Sequence, residues 1–193
     1  MNSILFVLNS MLLGVGLAMD AFSVSIANAL NEAKMKKSKM CIIAGTFAFF
    51  QIAMPLIGWF CVHTIAETFQ AFQKFIPWIA LALLGYIGGK MLYEGIKNDG
   101  EQEDAAVDFK GLIIQGIATS IDALSVGFTI SEYKAIEAII ASSIIGIVTF
   151  IICMFGLIIG KTVGNKLSNK ASILGGCILI GIGLEIFIKG VIL

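Results

Sequence analysis

The sequence predicts an all-α integral membrane protein with six transmembrane helices, arranged as two inverted three-helix repeats. The chain of 193 residues is 58% hydrophobic and only 13% charged, a composition that a water-facing surface could hardly tolerate. Its apolar stretches have the length of about 20 residues that crosses a bilayer as a helix. A polar motif of the first stretch also returns in the fourth.

The apolar stretches follow one another with short connections. They fall at 4–30, 40–62, 76–96, 111–131, 135–160 and 171–193. The first stretch lacks a preceding basic segment and contains Asp20, so we expect a retained helix rather than a secretory signal. The four cysteines stand singly, which favours buried small side chains over a zinc or redox site.

The second half of the chain repeats the first at an offset of 102 residues. Identical pairs at this offset are Gly14/Gly116, Asp20/Asp122, Ala21/Ala123, Ser23/Ser125 and Val24/Val126. Because each half holds an odd number of spans, the second copy enters the membrane from the opposite side. Inverted repeats of this kind are common in secondary transporters, which bind substrate near the bilayer midplane. We predict halves at 1–97 and 111–193.

The linker between the halves, 98–110, is acidic and is expected to be a solvated, flexible cytoplasmic loop. Lysines gather on the same side of the membrane, at positions 34, 36, 37, 39, 97, 110, 161, 166 and 170. The opposite side carries Lys74, Lys134 and Lys189. The positive-inside rule therefore places both termini outside, in a multi-pass protein of the bacterial cytoplasmic membrane.

The carboxylates within apolar sequence indicate a polar site, since an unpaired charge there costs at least roughly 2.5–3.5 kcal/mol. Ser23 shares a helix face with Asp20, and Ser125 shares one with Asp122. The predicted metal ligands are Asp20, Asp122, Gln51, Glu185, Ser23, Ser125, Thr119 and Asn28. A set of oxygen ligands suits a hard divalent cation such as Mg²⁺ or Mn²⁺.

Two of these assignments have equally direct alternatives. Gln51 precedes Pro55 by four residues, so its freed carbonyl and its amide could bind an ion, or an interhelical hydrogen bond and a proline kink could explain both. Glu185 could pair with Lys90 across the helices, although Glu94 could pair with Lys90 locally.

Small residues predict close helix packing. Glycines at 14, 16, 116 and 127 would let neighbouring backbones approach, and could also loosen a helix so that carbonyls turn towards an ion. GxxxG spacings at 85/89, 156/160 and 160/164 permit tight crossings and a possible homodimer face. His63 stands at a helix end, where an interfacial role is expected.

The segments 19–27 and 118–127, with 55–59 and 173–183, resemble the bacterial manganese efflux pump (MntP) family over essentially the whole chain. The resemblance implies six helices and export of Mn²⁺, with Asp20 and Asp122 at the family's acidic motif positions. It also matches Gly88, Gly89, Lys90 and Glu94 to a Gly-Gly-basic-x-x-x-Glu stretch. The family pattern can carry Glu where this chain has Gln51, and Gln where it has Glu185.

We therefore expect a secondary transporter that exports Mn²⁺ and admits protons, with no resident cofactor and no nucleic-acid partner. The chain carries no nucleotide-binding motif, and an enzyme is disfavoured because no HExxH, Ser/Lys or Ser/His arrangement is present. The layout is also similar to the lysine-exporter superfamily, so another divalent cation or a basic amino acid stays open as substrate. A non-transporting membrane scaffold is the alternative of a different class.

Overall fold

The computed structural model describes residues 3–32, 34–64, 76–97, 108–167 and 171–191. Within these ranges every regular element is an α-helix. The helices are α1 (Ser3–Asn31), α2 (Lys37–Thr64), α3 (Ile76–Lys97), α4 (Phe109–Thr119), α5 (Ile121–Thr129), α6 (Ala135–Leu167) and α7 (Ala171–Val191). The linker 98–107 and the side chain of His63 lie outside the described residues, so the predictions for them stand as predictions.

Each predicted stretch coincides with helix, although α6 continues to Leu167, seven residues beyond its predicted end, and the fourth stretch is not one helix. The stretch 111–131, predicted as one helix, is divided at Ser120 into α4 and α5, which meet at a bend of 42°. The hydroxyl of Thr119 donates a hydrogen bond to the carbonyl of Gln115, and that of Ser120 donates to the carbonyl of Gly116, in each case four residues earlier. Such bonds compete with the backbone ladder and bend helices.

Among the described residues, three helices are long and apolar enough to cross a membrane, namely Ile4–Asn31, Lys37–Val62 and Ala135–Gly164. The bent pair α4–α5 makes a fourth span if it is counted as one. Within α7, Ile173–Glu185 is a shorter apolar helix. Large apolar side chains also lie exposed along α1 and α6, for example Ile4, Leu12, Ile136 and Ile147. These features fit a multi-pass membrane protein.

Helices α1 and α6 pack in parallel. A Cβ atom on Gly14 would lie 3.1 Å from the Cα of Ile145, and one on Gly156 would lie 2.8 Å from the carbonyl of Phe22. Gly160 in turn faces the carbonyl of Ile26. Because the residue numbers increase together along this contact, the two helices run in the same direction.

Helix α2 packs in parallel with the α4–α5 segment in the same manner. A Cβ atom on Gly116 would lie 2.4 Å from the ring of Phe50, and one on Gly127 would lie 2.5 Å from the carbonyl of Pro55. Gly58 faces the carbonyl of Leu124. Of the glycines predicted at close approaches, Gly16 alone among 14, 16, 116 and 127 has nothing within 4 Å of its Cβ position.

The third crossing joins α3 to α7 through Gly88 and Gly176. A Cβ atom on either glycine would lie less than 3 Å from the carbonyl of the other. Gly85 and Gly89, which were predicted to form a tight GxxxG crossing, have nothing within 4 Å of their Cβ positions. The close approach on α3 therefore falls on Gly88, one residue before the predicted face.

Candidate ion site

Gln51 on α2 is fully buried, with hydrogen bonds to two other helices. Its Nε2 donates to the carbonyl of Leu17 on α1 at 3.1 Å and to that of Thr119 at the end of α4 at 3.2 Å. With two carbonyls beside it, the nitrogen must be the atom that faces them. The Oε1 atom is then left buried, with no hydrogen-bond partner among the described atoms.

The break between α4 and α5 lies at one of the two carbonyls that Gln51 binds. Ser120 closes the last turn of α4 through its backbone N–H, which donates to the carbonyl of Ile117. The carbonyl of Thr119 is directed instead to Gln51. Discontinuous helices of this kind expose backbone groups at membrane depth only where protein or a polar cavity satisfies them.

The two aspartates flank this centre in sequence in the same way. Asp20 follows Leu17 by three residues, and Asp122 follows Thr119 by three residues. Asp20 is half-buried on α1, whereas Asp122 is exposed in the first turn of α5, where its Oδ1 accepts the backbone N–H of Ala123 at 2.8 Å. Asp20 thus stands about one helical turn beyond the carbonyl of Leu17, and Asp122 stands just beyond the break that follows the carbonyl of Thr119.

The remaining predicted ligands are more dispersed. Ser23 is half-buried and donates to the carbonyl of Met19, its own helix neighbour, while Ser125 is exposed on α5. Thr119 is buried, and its hydroxyl donates to the carbonyl of Gln115. Glu185 is exposed on α7. Among the described residues, no group of three or more His, Cys, Asp or Glu could hold a metal ion.

Asn28 belongs to a second buried polar group, and it is the only member of that group that was predicted as a ligand. Its Nδ2 donates to Oε1 of Gln115 at 2.8 Å, and the Nε2 of Gln115 donates back to Oδ1 of Asn28 at 3.1 Å. Both side chains are 1% exposed. Gln115 was missed as a functional candidate, although a lone amide inside the apolar stretch 111–131 was the available signal.

The contacts between α1, α2 and α4 give the order of these polar groups along the helices. Asn28 meets Gln115, whereas Leu17 and Thr119 meet at Gln51. Along α1 the contacts therefore run in the opposite direction to those along α4. It follows that Asp20 lies on the Asn28 side of the Gln51 level, and that Asp122 lies on the other side.

These features define a class, a multi-pass α-helical membrane protein in which a buried amide binds one carbonyl of a broken span and one of α1, each three residues before an aspartate. The comparison with known proteins then gives the family. A family model described as "Putative manganese efflux pump" matches residues 34–187. The chain belongs to this family.

Curated relatives from clostridial bacteria cover nearly the whole chain. A protein of Ruminiclostridium cellulolyticum named "Putative manganese efflux pump MntP" is 43% identical over 92% of this chain and 93% of its own length. One of Clostridium perfringens with the same name is 39% identical, covering 95% and 94%. "Putative manganese efflux pump MntP 2" of Clostridium botulinum is 43% identical, covering 92% of each. No solved structure gives a significant match.

Proposed function

We propose that the protein is a secondary transporter that exports Mn²⁺ from the cytoplasm, with the ion bound between Asp20 and Asp122 beside Gln51. The names of the relatives supply the metal and the direction of transport. The observation that carries the site is the hydrogen bonding of Gln51 to the two carbonyls that each precede an aspartate by three residues.

The geometry of a helix supports a shared ion. Three residues of α1 rise about 4.5 Å, so Asp20 stands about that far beyond the Gln51 level, and Asp122 follows the break at Ser120 on the other side of that level. Helical side chains lean towards the N-terminus of their own helix. Because α1 and α4–α5 run in opposite directions, Asp20 and Asp122 both lean back towards the Gln51 level, which shortens the gap that an ion must bridge.

The charge balance also fits a dication. Asp20 and Asp122 supply two negative charges, and the free Oε1 atom of Gln51 adds a neutral oxygen ligand. Hard divalent ions take roughly six oxygens from carboxylates, amides, hydroxyls and water. Ser23, Ser125, Thr119, Asn28 and Glu185 are the further candidates for completing this shell during the transport cycle.

The proposal includes two inverted halves, 1–97 and 111–193. Its support is that positions related by the offset of 102 make related contacts. Leu17 and Thr119 bind the same amide, while Gly58 packs on Leu124 and Gly160 packs on Ile26, each in the first predicted span of the other half. An inverted repeat supplies two exchangeable arrangements of one sequence pattern, which is the usual basis of alternating access.

Proton entry is proposed as the driving reaction, because a carboxylate that releases Mn²⁺ can take up a proton in exchange. The test is Mn²⁺ flux in proteoliposomes, with an imposed pH gradient and with Mg²⁺, Cd²⁺ or lysine as competitors. We expect Mn²⁺ flux that the gradient accelerates and that lysine leaves unaffected. Flux indifferent to the gradient removes the coupling, flux of lysine in place of Mn²⁺ reassigns the substrate, and absence of any flux from folded protein favours the scaffold alternative.

A further inference from the structure

The reciprocal pair between Asn28 and Gln115 occupies a distinct place on the route to the proposed ion site. Asn28 lies three residues before the end of α1, and Gln115 lies in the second turn of α4. Near them lie the lysine-rich sequence 34–39, which spans the connection after α1 and the start of α2, and Lys110 in the first turn of α4. Asp20 and the Gln51 level therefore lie further inside the molecule than the amide pair, as approached from the lysine-rich side.

The lysine-rich end is held together around this pair. Lys39 forms a salt bridge with Glu32, and the Nζ of Lys161 donates to the carbonyl of Met35 at 2.8 Å. These contacts tie the connection after α1 to α2 and to the end of α6. The amide pair joins α4 to α1 at this end of the molecule.

On the other side of the Gln51 level, the side chains that pack together are apolar. An apolar cluster forms there around Leu17, Ala123 and Ile145, with Leu13, Met54 and Val126 packed against it. At the offset of 102, the counterparts of Asn28 and Gln115 are Ile130 and Leu13, which are both apolar. The amide pair is thus specific to one side and is not a consequence of the repeat.

We propose that Asn28 and Gln115 form the gate of the ion path on the lysine-rich side, an inference that rests on the proposed function. The pair closes the path when α1 and α4 meet, and it opens when they separate. Two neutral amides suit this task because, in the closed state, each donates a hydrogen bond to the other. When the gate opens, water or the oxygen shell of a cation can replace the lost partner without leaving a buried charge.

The test measures access to a reporter thiol placed behind the gate. Ser120 is fully buried beside the Gln51 level, so Ser120→Cys exchanges one small polar atom for another. In a background without the four native cysteines, a membrane-impermeant thiol reagent is added to one side of sealed vesicles, without Mn²⁺. We expect Asn28→Ala/Gln115→Ala to speed labelling from the lysine-rich side by roughly tenfold or more, as expected for losing two buried hydrogen bonds that favour the closed state.

The matched control exchanges the two residues. Asn28→Gln/Gln115→Asn keeps both amides and the same number of side-chain atoms, and should return labelling to within about twofold of the unaltered pair. If the alanine pair does not fold, Gln115→Leu alone, which removes the partner of Asn28 while filling the space, repeats the test. Labelling that is unchanged, or that rises equally from both sides, overturns the gate. Since no Mn²⁺ is present, failure of Mn²⁺ transport contradicts the proposed function and leaves this result independent.

Discussion

Leu17 and Thr119 are 102 residues apart in sequence, yet their carbonyl oxygens accept hydrogen bonds from the same nitrogen, the Nε2 of Gln51. Each precedes an aspartate of the repeated motif by three residues. The amide thereby fixes the distance between the two helices that carry the carboxylates. The geometry of the proposed ion site thus depends on a residue that is itself uncharged.

Replacing Gln51 should weaken the protein as well as its transport. Gln51→Leu introduces an apolar side chain of similar size and removes the amide that donates to the carbonyl of Thr119. We expect the free energy of unfolding to fall by about 1–3 kcal/mol, the cost of a buried unsatisfied group, in a detergent unfolding titration. Thr149→Val is the matched control, because the buried Thr149 hydroxyl donates only to Ile145 of its own helix. Equal effects of the two changes would contradict a tie between helices at Gln51.

The crossing of α2 and α5 should reject even one methyl group. A Cβ atom on Gly127 would lie 2.6 Å from the Cα of Gly58 and from the backbone N of Trp59. Because backbone atoms cannot move aside, Gly127→Ala should cost about 1–3 kcal/mol of stability. Gly45→Ala, where nothing lies within 4 Å, should cost nothing or stabilise α2 slightly. Both values come from the same unfolding titration, and a tolerated Gly127→Ala would show that the crossing is looser than described.

The break at Ser120 should matter for transport more than for stability. Ser120→Ala removes the hydroxyl that donates to the carbonyl of Gly116 at 2.6 Å and supplies a better helix former. We expect the free energy of unfolding to fall by only about 0.5–1.5 kcal/mol, the net contribution of one hydrogen bond, together with clearly slower Mn²⁺ flux. In Ser143→Ala, the control, the same type of bond to Ile139 is lost within the continuous helix α6. Unimpaired flux in Ser120→Ala would mean that the break has no part in transport.

The positions of the helices could be predicted from the sequence because apolar length and polar interruptions determine where a span begins and ends. The predicted bounds 76–96 and the observed α3 (Ile76–Lys97) differ by one residue. The break at Ser120 could not be predicted in this way. Ser143 and Thr149 make the same bond to the carbonyl four residues earlier without breaking α6. At the break, by contrast, the carbonyl of Thr119 accepts a hydrogen bond from Gln51 on another helix.

The candidate site was predictable in composition but incompletely in its contacts. Asp20 and Asp122 are identified by their repeated motif, and Gln51 by its polarity within an apolar stretch. For Gln51, the amide makes the predicted interhelical hydrogen bonds, and ion binding through its Oε1 atom stays a prediction. The partnership of Asn28 with Gln115 depends on the register between α1 and α4, which no local pattern encodes.

The measurement that tests the central proposal most directly is Mn²⁺ binding by the purified protein, followed by the electron paramagnetic resonance signal of free Mn²⁺. The variants are Asp20→Asn and Asp122→Asn. Asp108→Asn is the control, because the exposed Asp108 makes no side-chain capping bond at the start of α4. We predict a single site whose affinity falls by at least about tenfold in each of the first two variants, and is unchanged in the control. Equal affinity in all of these proteins would contradict a shared ion between the two aspartates.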